Sequence, residues 1–596
     1  MIKKNGKPLC VVFFLLLALI PPLRAIETGE IKGKVVDEKG APLPGVAITA
    51  RSPNLQGART AFSSPEGDFY FPLLPVGRYT LSFRLEGFTP LIKENVIVRL
   101  GRVTDVHAVM RLSEIKEEIV VTATPPLIEK IPVQNRNIVD IVKYAPGVTG
   151  VRVNTRRGTA TQGQPSFRGE GEEGNTWIVD GLAVSGVRLK NSGVPLNFDA
   201  IEEIQIISDP FSPEYGSAYG GIINMVTRSG SNDLEGEFAL ALTNKHLQSR
   251  RREQLAIVTE PEYFSNYNWY LNLGGPLIKD KLWFFLSDNF YTNTEQTRDQ
   301  TLDYFFVPGG TFTTRTNNLF AKLTYALSQN HTLSLTAVHN RSLGQKGGTG
   351  IPDLFEDHRF SDTVFRLNYK GILSPSMFIE AGLGVIDRID RKEPVTGDLG
   401  PAQYYVEDLG RNLHNTYGNV TDDQNRLDFS IKLTRHFQTP TLGHHEINLG
   451  LEYTSFGSDF GVDFTGDAED IFPGNGFDSG TKYYFSSWRE GDRTPTFFYE
   501  YGRFRFLNSA RGFGLYMKDK VTLGRFTVML GFRSQTQRLL DDRDQELWSW
   551  GLSDFLAPRF SCSVDLTGDG VNILKLGWGR FSDYITTMPL GLFNSG

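Results

Sequence analysis

Residues 319–338 read LFAKLTYALSQNHTLSLTAV. Every second residue of 319–325 is apolar or aromatic, the polar stretch 328–331 interrupts the pattern, and the alternation returns at 333–338. Because successive side chains of a strand point to opposite faces, each segment gathers its apolar residues on one face. The stretch therefore predicts a β-hairpin whose two strands share an apolar face.

The same design recurs along residues 231–596, at 365–385 around a Ser-Pro-Ser turn, at 427–433 and at 447–453. Alternating stretches of about ten residues, separated by turns, are typical of a transmembrane antiparallel β-barrel. A large soluble β protein also has alternating strands, so it remains the alternative at this point. Either way, the fold class is mainly β.

The composition agrees with many strands and turns, because the 596 residues include 61 Gly and 42 Phe. A helical membrane protein needs repeated apolar runs of about 20 residues, which the sequence lacks. The net charge of −6 argues against a basic nucleic-acid-binding protein. No nucleic-acid partner is therefore predicted.

The strongest apolar run, 11–20, is short for a bilayer span. It follows three lysines and precedes Leu23-Arg24-Ala25. A basic start, a short apolar centre and a small exit residue indicate a secretory signal peptide, which we place at 1–25. Cys562 is then the one cysteine outside the signal, so neither an internal disulfide nor a cysteine metal site is predicted.

Residues 28–112 contain short alternating segments about ten residues apart, punctuated by Gly and Pro, and this spacing predicts a small β-sandwich. Gly33, the run 42–46, 67–69 and 77–79 stand in the order found in the carboxypeptidase regulatory-like domain, which this unit resembles. The resemblance implies the sandwich and no peptidase, because the chain has no His-Glu zinc motif.

Residues 113–126 form a linker that contains a β-branched run, and two prolines end it. Such a run favours a short extended strand. Taken alone, the segment is no more than a strand or a linker. The run consists of Glu118, Ile119, Val120, Val121, Thr122 and Ala123.

Residues 127–230 carry an ordered series of motifs that resembles the plug domain of TonB-dependent outer-membrane receptors. This domain is expected to be α+β, and the resemblance implies that 118–123 is the TonB box. The sequence departs from the family at Glu203, where a basic residue is usual, and at Asp209-Pro210, where Gly-Pro is usual. The plug motif residues are Arg168, Gly169, Asn175, Asp180, Gly181, Tyr215, Gly216, Gly220 and Gly221.

Within 231–596, the run 274–285 resembles the first barrel hairpin of the Oar-like branch of this family. The resemblance implies import of a scarce ligand, such as a siderophore or an oligosaccharide, powered by the inner-membrane TonB complex. It also implies an outer-membrane location in a Gram-negative-type bacterium, contact with outer-membrane lipid, and a periplasmic N-terminal domain. An Oar-like role in surface adhesion or protein secretion is the alternative, and a passive porin is a third.

The chemical motifs are weak. Residues 169–174 match G-x-G-x-x-G, but their glutamates would repel a phosphate. Asp565 begins a stretch like a calcium loop, which lacks the closing Glu and lies between two alternating segments, so a hairpin turn is the better interpretation. No catalytic residue, enzyme activity, cofactor or metal site is predicted.

Two structural roles are expected within the plug. Gly181, Gly216 and the pair Gly220-Gly221 should allow tight turns. Arg168 should pair with a carboxylate of the barrel wall and hold the plug in place.

The barrel is expected to be incomplete at its C-terminus. Residues 231–596 contain about thirteen barrel-like segments, whereas a plug-bearing barrel needs about 22 strands. We therefore expect no hydrogen-bonded ladder between the first wall strand, near 235–242, and the last one, near 572–581.

Overall fold

The structure is a computed structural model. It describes residues 28–55, 58–85, 88–100, 102–111, 119–121, 142, 148–152, 164–167, 174–188, 194–207, 212–216, 218, 220–247, 263–296, 300–302, 305–307, 311–346, 356–374, 376–395, 403–406, 411–414, 418–439, 441–464, 483–488, 495–500, 504–567 and 572–581. Among these residues, no helix is both long and apolar enough to cross a bilayer.

The first unit, called the sandwich below, is the predicted β-sandwich. The central strand β1 pairs with β4 on one side and with β7 on the other, in one sheet of order β4-β1-β7. The second sheet has the order β3-β2-β5-β6-β8. Alternate residues of both sheets point inward and form one apolar core. The strands are β1 (Thr28–Asp37), β2 (Ala47–Arg51), β3 (Ala58–Phe62), β4 (Asp68–Pro75), β5 (Gly77–Arg84), β6 (Leu91–Val98), β7 (Val103–Met110) and β8 (Ile119–Val121).

The second unit, called the plug below, holds a two-stranded sheet and a four-stranded sheet of order β12-β11-β14-β13. The named elements of its described part are six strands and a 3-10 helix at Phe198–Ala200, with the loops between them. The rest of the predicted α+β unit lies outside the described residues. The strands are β9 (Val148–Arg152), β10 (Gln164–Phe167), β11 (Thr176–Val179), β12 (Leu182–Ala183), β13 (Ile201–Ile207) and β14 (Ile222–Thr227).

The third unit, called the wall below, is a 14-stranded antiparallel sheet in which each long strand pairs with the next along the chain. Its strands are β15 (Glu235–Asn244), β16 (Tyr263–Ile278), β17 (Leu282–Gln296), β20 (Thr311–Ser328), β21 (His331–Lys346), β22 (Glu356–Ser374), β23 (Met377–Pro394), β26 (Gly418–Thr439), β27 (Gly443–Phe464), β30 (Phe504–Leu523), β31 (Phe526–Leu540), β32 (Glu546–Trp550), β33 (Leu556–Asp565) and β34 (Ile573–Gly579).

Six shorter strands lie in the connections of the wall, and they form two small sheets. They are β18 (Gln300–Leu302), β19 (Phe305–Val307), β24 (Gln403–Val406), β25 (Arg411–His414), β28 (Tyr483–Trp488) and β29 (Pro495–Glu500). A 3-10 helix at Lys245–Leu247 follows β15.

The wall confirms the alternation that the sequence predicts. Phe320 and Lys322 are buried on the inner face, whereas Leu319 and Leu323 are 38% and 41% exposed on the outer face. The outer positions of the neighbouring strands follow the same rule, as exposed Phe365 shows on β22. The outer face of the wall therefore carries the exposed apolar side chains, and its inner face carries both apolar and charged side chains that are buried.

The two ends of the wall differ. Connections of only two or three residues join consecutive long strands at one end of the wall, called the short-turn end below, for example between β16 and β17, β20 and β21, and β30 and β31. Much longer connections join them at the other end. Outer-membrane barrels show this asymmetry, with the short turns on the periplasmic side.

The wall runs as an open path from β15 to β34, and within the described residues no ladder joins these two strands. The stretch from Asp565 onward is a hairpin, as predicted, because Asp565 pairs with Ile573 where β33 meets β34.

Candidate functional site

A two-residue hairpin turn presents the plug to the wall. Ile178 pairs with Ala183 and Val179 with Leu182, so Asp180 and Gly181 alone form the turn between β11 and β12. Their φ angles are +45° and +76°. Two left-handed residues in sequence are typical of a type I′ turn, in which Asp-Gly is a preferred pair. The Asp-Gly of the plug motif is therefore a turn that projects a carboxylate.

The Asp180 carboxylate is fully buried and makes four contacts, two within the plug and two with the wall. Oδ1 accepts the Thr227 backbone N–H at 2.9 Å, and Oδ2 accepts the Thr227 hydroxyl at 2.6 Å. From the wall, Oδ2 lies 3.2 Å from Lys322 Nζ and accepts the Thr336 hydroxyl at 3.1 Å. The turn is thus held by a buried ion pair, since Lys322 is only 3% exposed.

Two further wall side chains reach the backbone of this turn. Arg366 Nη2 donates to the Gly181 carbonyl at 3.4 Å, and Asn368 Nδ2 donates to the Asp180 carbonyl at 3.3 Å. Strands β20, β21 and β22 therefore converge on one turn.

The electrostatics favour an ionised Asp180. Burial alone would raise the pKa of its carboxyl, but the Lys322 ammonium and the hydrogen bonds from Thr227 outweigh burial and lower the pKa below its usual value. The carboxylate therefore keeps its charge, and removing either partner would leave an uncompensated buried charge.

A second charged contact fixes the plug loop 212–216. Glu214 Oε1 lies 3.2 Å from Lys518 Nζ on β30, and Oε2 lies 3.3 Å from Lys432 Nζ on β26. Burial would raise the pKa of Glu214, but the two ammonium groups lower it to about 2. The loop is therefore anchored as an anion between two cations.

Two wall arginines contact the same loop from its other side. Arg559 Nη1 donates to the carbonyls of Ser212 and Tyr215, both at 2.8 Å. Arg533 is 1% exposed and is held by Glu452 Oε2 at 2.5 Å. A Cβ added at Gly216 would lie 2.4 Å from Arg533 Nη2, so any larger residue would force the Arg533 guanidinium to move away from the loop.

The plug packs against the wall unevenly. One side is apolar, where plug residues such as Trp177 and Leu182 form one cluster with Phe285, Phe320 and Val338 of the wall. The other side holds a cavity of about 160 Å³ between the plug and the wall. Its charged lining consists of Glu214, Arg366, Arg426, Asp428, Lys432, Glu452 and Arg533.

The remaining plug glycines act by close packing. A Cβ at Gly220 would lie 2.7 Å from Asn175 Oδ1, and a Cβ at Gly221 would lie 2.6 Å from the Phe167 ring. Neither glycine, nor Gly216, has a positive φ, whereas Gly181 does. The prediction of a tight turn is therefore confirmed for Gly181. At Gly216, Gly220 and Gly221 the reason for glycine is different, because a neighbouring side chain occupies the space that a Cβ would fill.

Asn175 links Gly221 to strand β10. It is fully buried, its Oδ1 accepts the Gly221 backbone N–H at 2.9 Å, and its Nδ2 donates to the Pro165 carbonyl at 2.6 Å. Its role in the structure is to satisfy backbone groups of two segments inside the plug.

Part of the predicted TonB box is a strand on the sandwich. Residues 119–121 form β8, which pairs in parallel with β6 through Leu91–Ile119, Ile92–Val120 and Lys93–Val121. Because β8 ends the strand order of its sheet, its other edge has no partner among the described strands. Glu118, Thr122, Ala123, Arg168 and Gly169 lie outside the described residues.

Sequence reasoning missed the wall residues of the site. Lys322, Glu452 and Arg533 occupy inner positions of strands whose outer positions are apolar. The signal that could have identified them is a charged residue at an inward-facing position of a strand whose outward-facing positions are apolar. It indicates a lumen-facing charge but does not say which plug residue it meets.

Comparison with known proteins gives two domain matches. Residues 30–111 match the carboxypeptidase regulatory-like domain, and residues 118–222 match the TonB-dependent receptor plug domain.

Two sequence relatives cover different shares of the chain. The TonB-dependent transporter Oar of Myxococcus xanthus is 29% identical over 367 residues, which are 54% of this chain and 34% of Oar. The probable TonB-dependent siderophore receptor PirA of Acinetobacter baumannii is 32% identical over 184 residues, which are 28% of this chain and 22% of PirA. The chain thus matches about a third or less of the length of these relatives.

Solved structures show the same fold. The outer membrane transporter YddB of Escherichia coli superposes with a TM-score of 0.57 at 14% identity, covering 76% of this chain and 60% of YddB. The siderophore receptor PirA of Acinetobacter baumannii gives a TM-score of 0.51 at 19% identity, covering 76% of this chain and 59% of PirA. Oar is named as a TonB-dependent transporter and YddB as an outer membrane transporter, and these names agree with the predicted outer-membrane location and with the prediction of no enzyme activity.

Proposed function

We propose that this chain, which joins a carboxypeptidase regulatory-like domain to the plug domain of the TonB-dependent receptors, imports a scarce ligand across the outer membrane. The energy comes from the TonB protein of the inner-membrane complex. A siderophore or an oligosaccharide is the ligand class proposed. The observation that carries the proposal is a plug held on the inner face of the wall by the buried Asp180–Lys322 pair.

Such a seat needs an external source of work. Removing one partner of a buried ion pair costs about 3–5 kcal/mol, because the other charge stays buried without compensation. Pulling the plug away from the wall separates such a pair and is therefore also costly. Glu214 adds a second buried contact of the same kind. The plug therefore stays closed at equilibrium, and pulling on the chain that precedes it supplies the work.

The point of attachment is β8. An edge strand offers unpaired backbone N–H and C=O groups, to which a partner can add a strand. β8 has one paired edge, on β6, and one edge without a described partner. TonB can thus bind by backbone hydrogen bonds, which bear load along the strand.

The test is Val120→Pro with Val120→Ile as its matched control. Proline removes a backbone donor and blocks strand addition, whereas isoleucine preserves the β-branched shape. We expect Val120→Pro to reach the membrane but to lose binding to the purified periplasmic domain of TonB, and to lose proton-gradient-dependent uptake. Normal energy-dependent uptake by Val120→Pro would contradict the proposal.

The resemblance of residues 274–285 to the Oar-like branch leaves one other function open, an outer-membrane role in surface adhesion or protein secretion. The direction of movement separates the two. Import predicts accumulation of labelled siderophore or oligosaccharide inside cells, while secretion predicts loss of a protein from the culture medium when the chain is deleted. Uptake that survives collapse of the proton gradient would instead favour a passive pore.

A further inference from the structure

We propose that the sandwich is a gate, docked on the plug and on the short-turn end of the wall, which must undock before a ligand can leave the lumen. This inference rests on the proposed import function. It assigns to the sandwich a second role, beside carrying β8 on its edge. It also explains the acidic residue at position 203, where the plug family usually has a basic one.

The first contact is a clamp of two plug side chains on one backbone unit of the sandwich. Glu203 Oε1 and Oε2 both lie 3.1 Å from the Leu100 backbone N, whose N–H they accept, and Gln205 Nε2 donates to the Leu100 carbonyl at 3.1 Å. Residues two apart on a strand share a face, so β13 presents both side chains together. A basic residue at 203 could not accept the N–H.

An apolar contact lies beside the clamp. Leu100, Val76 of the sandwich and Val226 of the plug form one cluster, and the three are 1%, 2% and 4% exposed. Arg99 and Arg102 flank Leu100 and are close enough to attract the Glu203 carboxylate electrostatically. The sandwich and the plug therefore meet through an apolar contact, hydrogen bonds and opposite charges.

The second contact is on the wall, at the hairpin of β26 and β27. The Tyr70 hydroxyl lies 3.3 Å from His436 Nε2, and the two rings are 5.4 Å apart. Glu30 Oε1 lies 3.9 Å from the same His436 nitrogen. His436 is three residues before the end of β26, so this anchor is at the short-turn end.

The third contact is a junction of all three units around a cavity of about 50 Å³. The sandwich contributes Asn54 and Val76, the plug contributes Thr227, and the wall contributes Asn330 and Gly371 from its short-turn end. The sandwich therefore extends over the plug from the turn after β20 to the turn after β26. A space of this size holds a few water molecules and excludes a siderophore or an oligosaccharide.

The first test asks whether position 203 controls docking. The reporter is Val76→Cys in a Cys562→Ser background, because Val76 is 2% exposed in the docked state. We expect Glu203→Arg, which loses the acceptor and repels Arg99 and Arg102, to raise the rate of maleimide labelling at least tenfold in the full chain. The matched control is Glu66→Arg on an exposed turn of the sandwich, and it should leave the rate unchanged. Equal rates for Glu203→Arg and Glu66→Arg would overturn the clamp.

The second test locks the gate. Cysteines replace Val76 and Val226 in the same background, and oxidation or a short bis-maleimide joins them. We expect the oxidised chain to lose energy-dependent uptake at least tenfold, to regain it with dithiothreitol, and to bind the TonB periplasmic domain in both states. Either single cysteine should transport normally. Full transport by the locked chain, or failure of the pair to cross-link, would overturn the gate.

A separate readout distinguishes the gate from import itself. If the reduced chain shows no energy-dependent uptake, the import function fails. The gate is then judged by the labelling rate of the Val76→Cys reporter, which needs no transport. A rate that Glu203→Arg leaves unchanged would overturn the gate.

Discussion

Loss of the buried ion pair between plug and wall should loosen the plug strongly. The perturbation is Asp180→Asn, with Lys322→Met and the double variant beside it. Asparagine keeps the size of the side chain and tolerates the positive φ of the turn, so the hairpin survives. What changes is the charge opposite the Lys322 ammonium, which lies 3.2 Å away and is 3% exposed.

The size of the effect follows from this burial. Removing one partner of a buried pair destabilises by about 3–5 kcal/mol, because the other charge stays behind without compensation. Each 1.36 kcal/mol is a factor of ten, so each single variant should open the plug about 10²–10⁴ times more often. The double variant removes both charges and should cost far less than the sum of the two singles.

Hydrogen exchange of the full chain, followed by mass spectrometry, measures this opening. Peptides covering 176–180 and 222–227 report on β11 and β14, which flank the Asp180 carboxylate. The matched control is Asp544→Asn, which removes an exposed pair with Arg511 at 3.6 Å. Exposed pairs contribute about 1 kcal/mol or less, so plug exchange should not change there.

Unchanged exchange in both single variants would refute the reasoning, because the pair would then not hold the plug. The reasoning would also be refuted if the double variant destabilised the plug by as much as the two single variants added together. The two side chains would then act independently, and their coupling through the 3.2 Å contact would be wrong.

Three other outcomes are expected. Gly216→Ala should loosen the plug loop 212–216 and increase its rate of hydrogen exchange, because the new Cβ would clash with the Arg533 guanidinium, which is ion-paired with Glu452. An unchanged exchange rate would mean that Arg533 moves aside freely. Burial raises the pKa of docked Glu203 to about 7, although the hydrogen bond from Leu100 and the attraction of the flanking arginines both lower it. Because the docked state then binds a proton more tightly than the undocked state, docking is strongest at low pH and weakens as the pH rises through 7. Labelling at a Val76→Cys reporter, divided by the labelling rate of a fully exposed cysteine at the same pH to remove the thiolate effect, should therefore rise between pH 5.5 and 8.5, and Glu203→Gln should flatten this ratio. Residues 28–112 alone should give a soluble protein with a cooperative thermal transition, and their deletion should leave insertion of the wall intact.

The sequence predicted the local features well. The alternation at 319–338 predicts a hairpin with one apolar face, because the side-chain direction of a strand repeats every two residues and needs no distant partner. The Asp180-Gly181 pair lies between apolar residues, which is the local pattern of a two-residue turn. The fold class and the likeness to the receptor family depend on such ordered local motifs. The domain boundaries and the TonB box stay predictions.

The sequence could not separate two reasons for a glycine. Gly181 needs its positive φ, whereas Gly216 and Gly221 need the absence of a Cβ against Arg533 and Phe167. The first reason is a property of the residue's own backbone. The second depends on a neighbour brought there by the fold.

The sequence by itself determined which segments form strands, which faces are apolar, and where the chain turns. The tertiary structure alone decided which charges meet. Lys322 follows Asp180 by 142 residues, Lys518 follows Glu214 by 304, and the Tyr70–His436 contact spans 366. Burial makes these contacts strong by excluding water, and burial at a given inner position depends on which surface of the plug or the sandwich covers it. A period of two residues fixes the face of a side chain, but only the packed units fix its partner.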